Sequence, residues 1–264
     1  GEERVGRVEH DVGQGVTGAH PQLAGGLVAD EPEVCHRALD PDVGIDWRVA
    51  EGDRVARNTV IATLAGRSRA LVSAERASLN FLQTLSGTAT VTAGYVDAVR
   101  GTGAKILDTR KTIPGLRIAQ KYAVRVGGGG NHRIGLYDTV MLKENHIRAY
   151  GSLRGAVEAA RTMHPALPLI VEVETLEQLR EALDAGCTRI LIDDFDAATR
   201  REAVRIAKSA PFDGRIPLEV SGGVDMTTLR GIAEDGVDCI SIGGLTKHVR
   251  AIDLSLKLGP PPGG

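Results

Sequence analysis

The second half of the chain constrains the fold most. From Gly103 onward, short apolar runs alternate with amphipathic stretches, joined by loops rich in glycine and polar residues. Strands are predicted at Lys105–Thr109, Thr139–Lys143, Leu169–Val173, Arg189–Asp193, Ile216–Val220 and Cys239–Ile242, and helices near 152–163, 175–185, 197–209 and 226–235. Apolar strands separated by helices pair in parallel, with helices covering both faces of the sheet. Such a sheet either stays open and doubly wound or closes into a barrel. Polar and charged residues stand at the C-terminal end of nearly every strand, where barrels build active sites, so a barrel is expected. About 160 residues is short for the ~250 of an eight-unit barrel.

The first hundred residues have another style. From Leu27 to Leu64, short apolar runs are broken by the turns Asp40-Pro41-Asp42 and Glu51-Gly52-Asp53, with strands at Val43–Val49 and Val60–Leu64. Strands with tight turns and no helix between them suggest a small antiparallel layer. Ser73 is the expected N-cap of a helix that buries Leu79, Leu82 and Leu85. Gly87 is expected to break it, with a second helix from Ala89 to Arg100. Residues 1–25 carry no assigned function.

Composition excludes several classes of function. Thirty-two Lys and Arg against 34 Asp and Glu leave a formal charge of −2, so no global field favours nucleic acid or an anionic membrane. Aromatic residues, at 3%, are too few for base-stacking platforms. Cys35, Cys187 and Cys239 are far apart and outside any CxxC pair, so they read as reduced thiols. No apolar run approaches the ~18–20 residues that span a bilayer, and no signal peptide is evident. A cytoplasmic protein without nucleic-acid or membrane partners is expected.

Against that neutral background, residues 105–146 hold eight Lys and Arg but three acids, together with Gly127–Gly130. Arg forks grip carboxylates, Lys supplies point charges, and glycine backbone permits close approach, a mixture suited to a polyanionic ligand. Arg110 and Lys111 are adjacent cations at a strand end. They repel unless an anion sits between them or, in an exposed turn, water screens them. Asn131-His132-Arg133 after the glycine run is a weak phosphate signal by itself. Lys143 closes an apolar strand, as either a Schiff-base nucleophile of a barrel aldolase or a charge clamp; the cationic neighbourhood implies an anionic ligand and favours the clamp. Glu172 and Asp193 are carboxylates in otherwise apolar strands, costly to bury unless they bind something. Ser221-Gly222-Gly223 and Gly243-Gly244 follow the last two strands, a common barrel phosphate site. Arg76, on its own, reads as a solvated surface residue.

Asp108-Thr-Arg-Lys-Thr-Ile-Pro-Gly-Leu-Arg117, Lys121-Tyr-Ala-Val-Arg125, Gly127-Gly-Gly-Gly-Asn-His-Arg133 and Lys143-Glu-Asn-His146 resemble the signature of the quinolinate phosphoribosyltransferase family, and the likeness runs from about Val43 to Leu258. The resemblance implies an α/β protein: an incomplete parallel α/β barrel, TIM-like, with an N-terminal α/β (α+β) sandwich. Expected boundaries are 1–102 for the sandwich with its helical segment, 103–250 for the barrel, and 251–264 for a tail returning to the first domain. It implies phosphoribosyl transfer from phosphoribosyl pyrophosphate to quinolinate with decarboxylation, giving nicotinate mononucleotide, pyrophosphate and CO2 in NAD biosynthesis. Arg76, Arg110, His132, Arg133 and Lys143 would bind quinolinate. Lys111, Ser221, Gly222, Gly223, Gly243 and Gly244 would hold the phosphates of the donor. Catalysis would rest on Lys111, Lys143, Glu172 and Asp193, the last two also holding Mg2+. Arg76 would enter the active site of the partner subunit, making a homodimer the catalytic unit. Asp194 stands where the family usually carries Asn. The nearest rivals are a molybdenum-transport-associated paralogue on the same scaffold and a barrel aldolase using Lys143.

Overall fold

The structure, a computed structural model, describes residues 3–10 and 30–259. Residues 11–25, within the stretch given no function, lie outside the described residues. In chain order the elements are β1 (Glu3–His10), α1 (Asp30–Leu39), β2 (Gly44–Trp47), β3 (Val60–Arg67), α2 (Ser68–Ala98), β4 (Lys105–Leu107), α3 (Arg117–Val126), β5 (Val140–Leu142), α4 (Glu144–Tyr150), α5 (Leu153–Met163), β6 (Leu169–Val173), α6 (Leu176–Ala185), β7 (Arg189–Ile192), α7 (Ala197–Lys208), β8 (Leu218–Val220), α8 (Leu229–Glu234), β9 (Cys239–Ser241), α9 (Gly244–Lys247) and β10 (Leu254–Gly259). They form two compact units. One comprises residues 1–94, 118–128 and 248–264; the other comprises 95–117 and 129–247.

The first unit is an antiparallel sheet of order β10-β1-β3-β2 with helices against it. Val8, Ile61 and Leu64 of the sheet share one core with Leu71, Leu79 and Leu82 of α2 and with Leu254. The three α2 leucines recur at helical spacing and so form one buried stripe. Burying each is worth about 1.5–3 kcal/mol. The helix differs from its expected form at both points. It begins at Ser68, not at Ser73, and it runs unbroken through Gly87. Glycine costs a helix about 1 kcal/mol, and packing outweighs that here. A Cβ on Gly87 would stand 2.3 Å from the Arg250 carbonyl oxygen, so this residue admits the returning backbone. That backbone is then fastened to the helix: Ile252 N donates to Gln83 O at 3.1 Å, and Gln83 Nε2 to Leu254 O at 3.0 Å.

The second unit is a six-stranded parallel sheet of order β4-β9-β8-β7-β6-β5. From β5 to β9 each new strand adds on the same side, and β4 then follows β9. That is a cyclic order opened between β4 and β5, as in a singly wound barrel with one seam left open. A doubly wound sheet would reverse direction midway. At the seam, Gly130 pairs with the free edge of β4: Gly130 N donates to Ile106 O at 2.8 Å, and Asp108 N to Gly130 O at 3.1 Å. Helices α5, α6 and α7 start on side-chain caps at Ser152, Thr175 and Asp196. The fold is therefore α/β, as expected.

Candidate active site

Loops at the C-terminal ends of the second unit's strands surround an open cleft. Among its lining residues are Thr109, Arg110, Lys111, His132, Arg133, Met141, Lys143, Glu172, Leu191, Glu219, Ser221 and Ser241. Period two explains why they meet. Met141 and Lys143 share parity along one strand, and the register pairs Glu172 with Leu191 and Leu191 with Glu219. One inward-facing layer thus sets Leu191 between the carboxylates of Glu172 and Glu219, and Met141, which pairs with Ile170 one step lower, extends the apolar floor.

The cations are held by different means. Arg110 and Lys111 sit on the exposed loop after β4. Arg117 ties that loop down, donating from Nη2 to Arg110 O at 3.1 Å, from Nε to Thr112 Oγ1 at 3.1 Å and from Nη1 to Ile134 O at 3.2 Å. A single guanidinium therefore braces the loops bearing Arg110 and Arg133. Arg133 donates to Thr139 O at 3.2 Å and has Met141 Sδ at 3.6 Å. Burial, and then the charge of Arg110, lower its pKa, while Asp138 opposes both. Holding two cations this close costs free energy that a bound anion would return. Lys143 Nζ stands 2.5 Å from Glu172 Oε2 in an ion pair. His146 of the Lys-Glu-Asn-His motif is structural in this setting, its Nδ1 accepting from Lys143 N at 3.1 Å.

His132 is buried. Its backbone N donates to Asp108 Oδ1 at 2.8 Å, its Nδ1 accepts from Arg133 N at 2.7 Å, and its Nε2 lies 3.2 Å from Glu219 Oε1. Glu219 is fully buried. Burial alone would raise its carboxyl pKa. Contacts with His132, Arg189 and Ser241 reverse this and hold it below the usual carboxylate range.

On the phosphate side, Lys111 lies along Gly243, where a Cβ would stand 2.9 Å from its Cδ. Thr246 Oγ1 donates to Lys111 O at 2.9 Å. Gly222 and Gly223 both take positive φ, 87° and 57°, which turns the chain sharply after Ser221. Asp193 directs Oδ1 to this turn, 3.3 Å from where a Gly222 Cβ would be. Asp194 has φ 56°, a left-handed position that Asp, like Asn, adopts more readily than most residues.

The structure thus gathers Arg110, Lys111, His132, Arg133, Lys143, Glu172 and Ser221 around one cleft, with Asp193 beside Gly222 and Lys111 beside Gly243. Arg76 belongs to the first unit, on α2, exposed and 4.0 Å from Glu75. Met141, Leu191, Ser241 and Asp108 were not singled out from sequence; the two-residue alternation that places Met141 with Lys143 and Leu191 with Asp193 was the available signal for the first two. Within the glycine run, packing requires Gly127, whose Cβ would meet the backbone Ala89 O at 2.4 Å; a Cβ on Gly130 would meet only the movable end of Leu107, Cδ2 at 2.8 Å. Among the described residues no three His, Cys, Asp or Glu side chains cluster as a metal site. Glu172 and Asp193 suit only a metal that arrives with substrate oxygens completing its shell.

A singly wound α/β barrel with this crowd of cations at its strand ends is an enzyme scaffold built for a multiply charged anion. The comparisons specify the family. Residues 25–86 match the N-terminal domain of quinolinate phosphoribosyl transferase, and residues 88–257 match its C-terminal domain. A nicotinate-nucleotide pyrophosphorylase [carboxylating] of Mycobacterium leprae is 44% identical over 250 residues, covering 89% of this chain and 86% of that protein. A probable enzyme of the same name from Bacillus subtilis is 45% identical over 219 residues, covering 83% and 74%. The solved nicotinate-nucleotide pyrophosphorylase of Francisella tularensis superposes with a TM-score of 0.89 at 39% identity, covering 98% of this chain and 87% of that one. The chain belongs to the quinolinate phosphoribosyltransferase family.

Proposed function

We propose that the protein transfers the phosphoribosyl group of phosphoribosyl pyrophosphate to quinolinate, with loss of CO2, to make nicotinate mononucleotide. The observation that carries this reading is the convergence of Arg110, Arg133 and Lys143 on one cleft with an apolar floor, which suits a flat dianion. Arg110 and Arg133 grip the two carboxylates, His132 closes the pocket beside them, and Met141 and Leu191 lie under the ring. Lys111 and the backbone turns at Ser221-Gly222-Gly223 and Gly243-Gly244 take the donor's phosphates.

The ring nitrogen attacks C1 of the ribose as the bond to pyrophosphate breaks. Positive charge develops on the ribose, and in this reading the carboxylates of Glu172 and Asp193 stabilise it. Lys143 keeps its charge near the acceptor and the departing pyrophosphate. It acts as a clamp, its Nζ ion-paired with Glu172. The C2 carboxylate then leaves as CO2, its bonding pair drawn toward the cationic ring nitrogen, and the carbon takes up a proton. Mg2+ carried in by the donor, held by Glu172 and Asp193, would offset the charge of the leaving group.

The working unit is a homodimer in the cytoplasm in which Arg76 of one copy completes the acceptor pocket of the other. Among the described residues, no helix is long and apolar enough to cross a membrane. The test of the reaction is stoichiometry. One nucleotide, one pyrophosphate and one CO2 should appear per quinolinate consumed; CO2 release without a nucleotide would overturn it. For the shared site, mixing inactive Arg76→Ala and Lys143→Ala proteins should restore about a quarter of wild-type activity once subunits exchange at random. Activity unchanged in Arg76→Ala alone would remove the shared site.

A further inference from the structure

Glu219 has no part in the reaction described above, yet it is a charge with 0% exposure at the wall of the cleft. Burying a carboxylate costs several kcal/mol unless partners compensate it. Its partners run through the barrel interior. Arg189, at the start of β7 and so at the opposite end of the strands from the cleft, donates from Nη1 to Glu219 Oε2 at 2.9 Å. Ser241 hydrogen-bonds the same carboxylate. On the cleft side stands His132 Nε2, 3.2 Å from Oε1 but off the line of a good hydrogen bond.

His132 passes this connection onward. Its Nδ1 accepts the Arg133 backbone N–H at 2.7 Å, so a neutral ring must carry its proton on Nε2, the nitrogen facing Glu219. Asp108 fixes the same segment from behind, accepting from His132 N at 2.8 Å and from Asn131 Nδ2 at 2.7 Å. Both ring nitrogens of His132 are thus turned to protein groups. The guanidinium of Arg133 has one carbonyl at 3.2 Å and a sulfur at 3.6 Å to steady it, against the repulsion of Arg110. Its position therefore depends heavily on its backbone.

We propose that Glu219 is a positioning residue for the acceptor: acting through His132, it fixes the Arg133 backbone and hence the guanidinium, while His132 gives no ring nitrogen to the acceptor. This rests on reading the cleft as a quinolinate site. Glutamate is needed because each of its oxygens faces a donor, Oε2 the Arg189 Nη1 and Oε1 the His132 Nε2. In Glu219→Gln one of them becomes an NH2 donor, which must face either Arg189 Nη1 or His132 Nε2, both donors themselves.

Two measurements test it. In Glu219→Gln, KM for quinolinate should rise at least tenfold while KM for phosphoribosyl pyrophosphate stays within twofold. A fall in kcat alone, equal shifts in both KM values, or wild-type kinetics would each overturn the proposal, since a merely structural residue lowers the active fraction without separating the two substrates. The second needs no altered fold: 15N NMR of histidine-labelled wild-type protein, with His132 assigned by its loss in His132→Gln. Nε2 should be protonated and Nδ1 unprotonated in the ligand-free protein, and unchanged with quinolinate bound. A proton on Nδ1, or a tautomer change on adding quinolinate, would overturn it. A wild-type protein that neither binds nor consumes quinolinate defeats the proposed function instead, and the ligand-free tautomer still decides the network.

Discussion

Removing the Arg133 guanidinium should cost function while leaving stability nearly unchanged. The guanidinium is half-buried, gives one good hydrogen bond to Thr139 O at 3.2 Å, and is destabilised as a cation first by burial and then by Arg110. In Arg133→Met, the lost bond costs about 1–2 kcal/mol. Relief of burial and of like-charge repulsion returns a similar amount, so net stability should change by no more than about 1 kcal/mol, roughly 2–4 °C in Tm. Acceptor binding has no such compensation. A charge-assisted contact left unmade in a partly enclosed cleft is worth about 2–3 kcal/mol, or roughly 30- to 150-fold in kcat/KM for quinolinate. Arg133→Lys keeps the charge but not the fork and should fall in between. The assay is steady-state kinetics with quinolinate varied at saturating donor, beside thermal unfolding of the same samples. Retention of kcat/KM within threefold would refute the reasoning, as would a loss of activity that tracks a fall of 10 °C or more in Tm.

The remaining expectations concern single groups. Lys143→Ala removes the partner of Glu172 and the clamp together, so turnover should drop at least about 100-fold at unchanged quaternary state; full activity would remove Lys143 from the mechanism. His36 is buried, with Nδ1 unpartnered among the described residues, and burial lowers its pKa, while Glu33 and Glu75 line the same cavity. A folded-state pKa below the unfolded value means that protons bind the unfolded chain more tightly. The first unit should therefore be most stable above about pH 6.5 and lose stability as pH falls toward the folded pKa, at up to about 1.4 kcal/mol per pH unit. Trp47 lines that cavity and, as the chain's single Trp, reports its unfolding. An unchanged slope in His36→Gln would count against the assignment. Burial pushes the Cys187 thiol up to about 11, so about one part in a thousand is thiolate at pH 8. Thiol reagents should label Cys35 first and Cys187 only on unfolding; early labelling of Cys187 would contradict its burial.

The barrel strands were legible because each is a short apolar run bounded by turn residues, and all six fall where sequence places them. Gly87 was misread because a glycine's local cost is visible in sequence, but the Arg250 carbonyl it admits is not. Helix α3 was missed for a related reason. Its buried face includes Gln120 and Lys121 beside Ala123 and Val124, which blurs the apolar period. Helix α1 likewise went unread between turn signals. In the cleft, the cations were legible as an excess of charge over a neutral background. The apolar floor was not, since Met141 and Leu191 look like ordinary strand residues until alternation puts Met141 on the side of Lys143 and the register sets Leu191 beside Glu172. Residue types also hid direction. His132 is legible from its motif, but that its nitrogens face Arg133 and Glu219 is not.

The central claim is that this cationic cleft selects a dicarboxylate acceptor. It is tested most directly by nucleotide formation from phosphoribosyl pyrophosphate and magnesium with quinolinate, against nicotinate as the monocarboxylate control. The account expects nicotinate mononucleotide from quinolinate and none from nicotinate. Equal turnover of both acceptors, or of neither by folded protein, would contradict it.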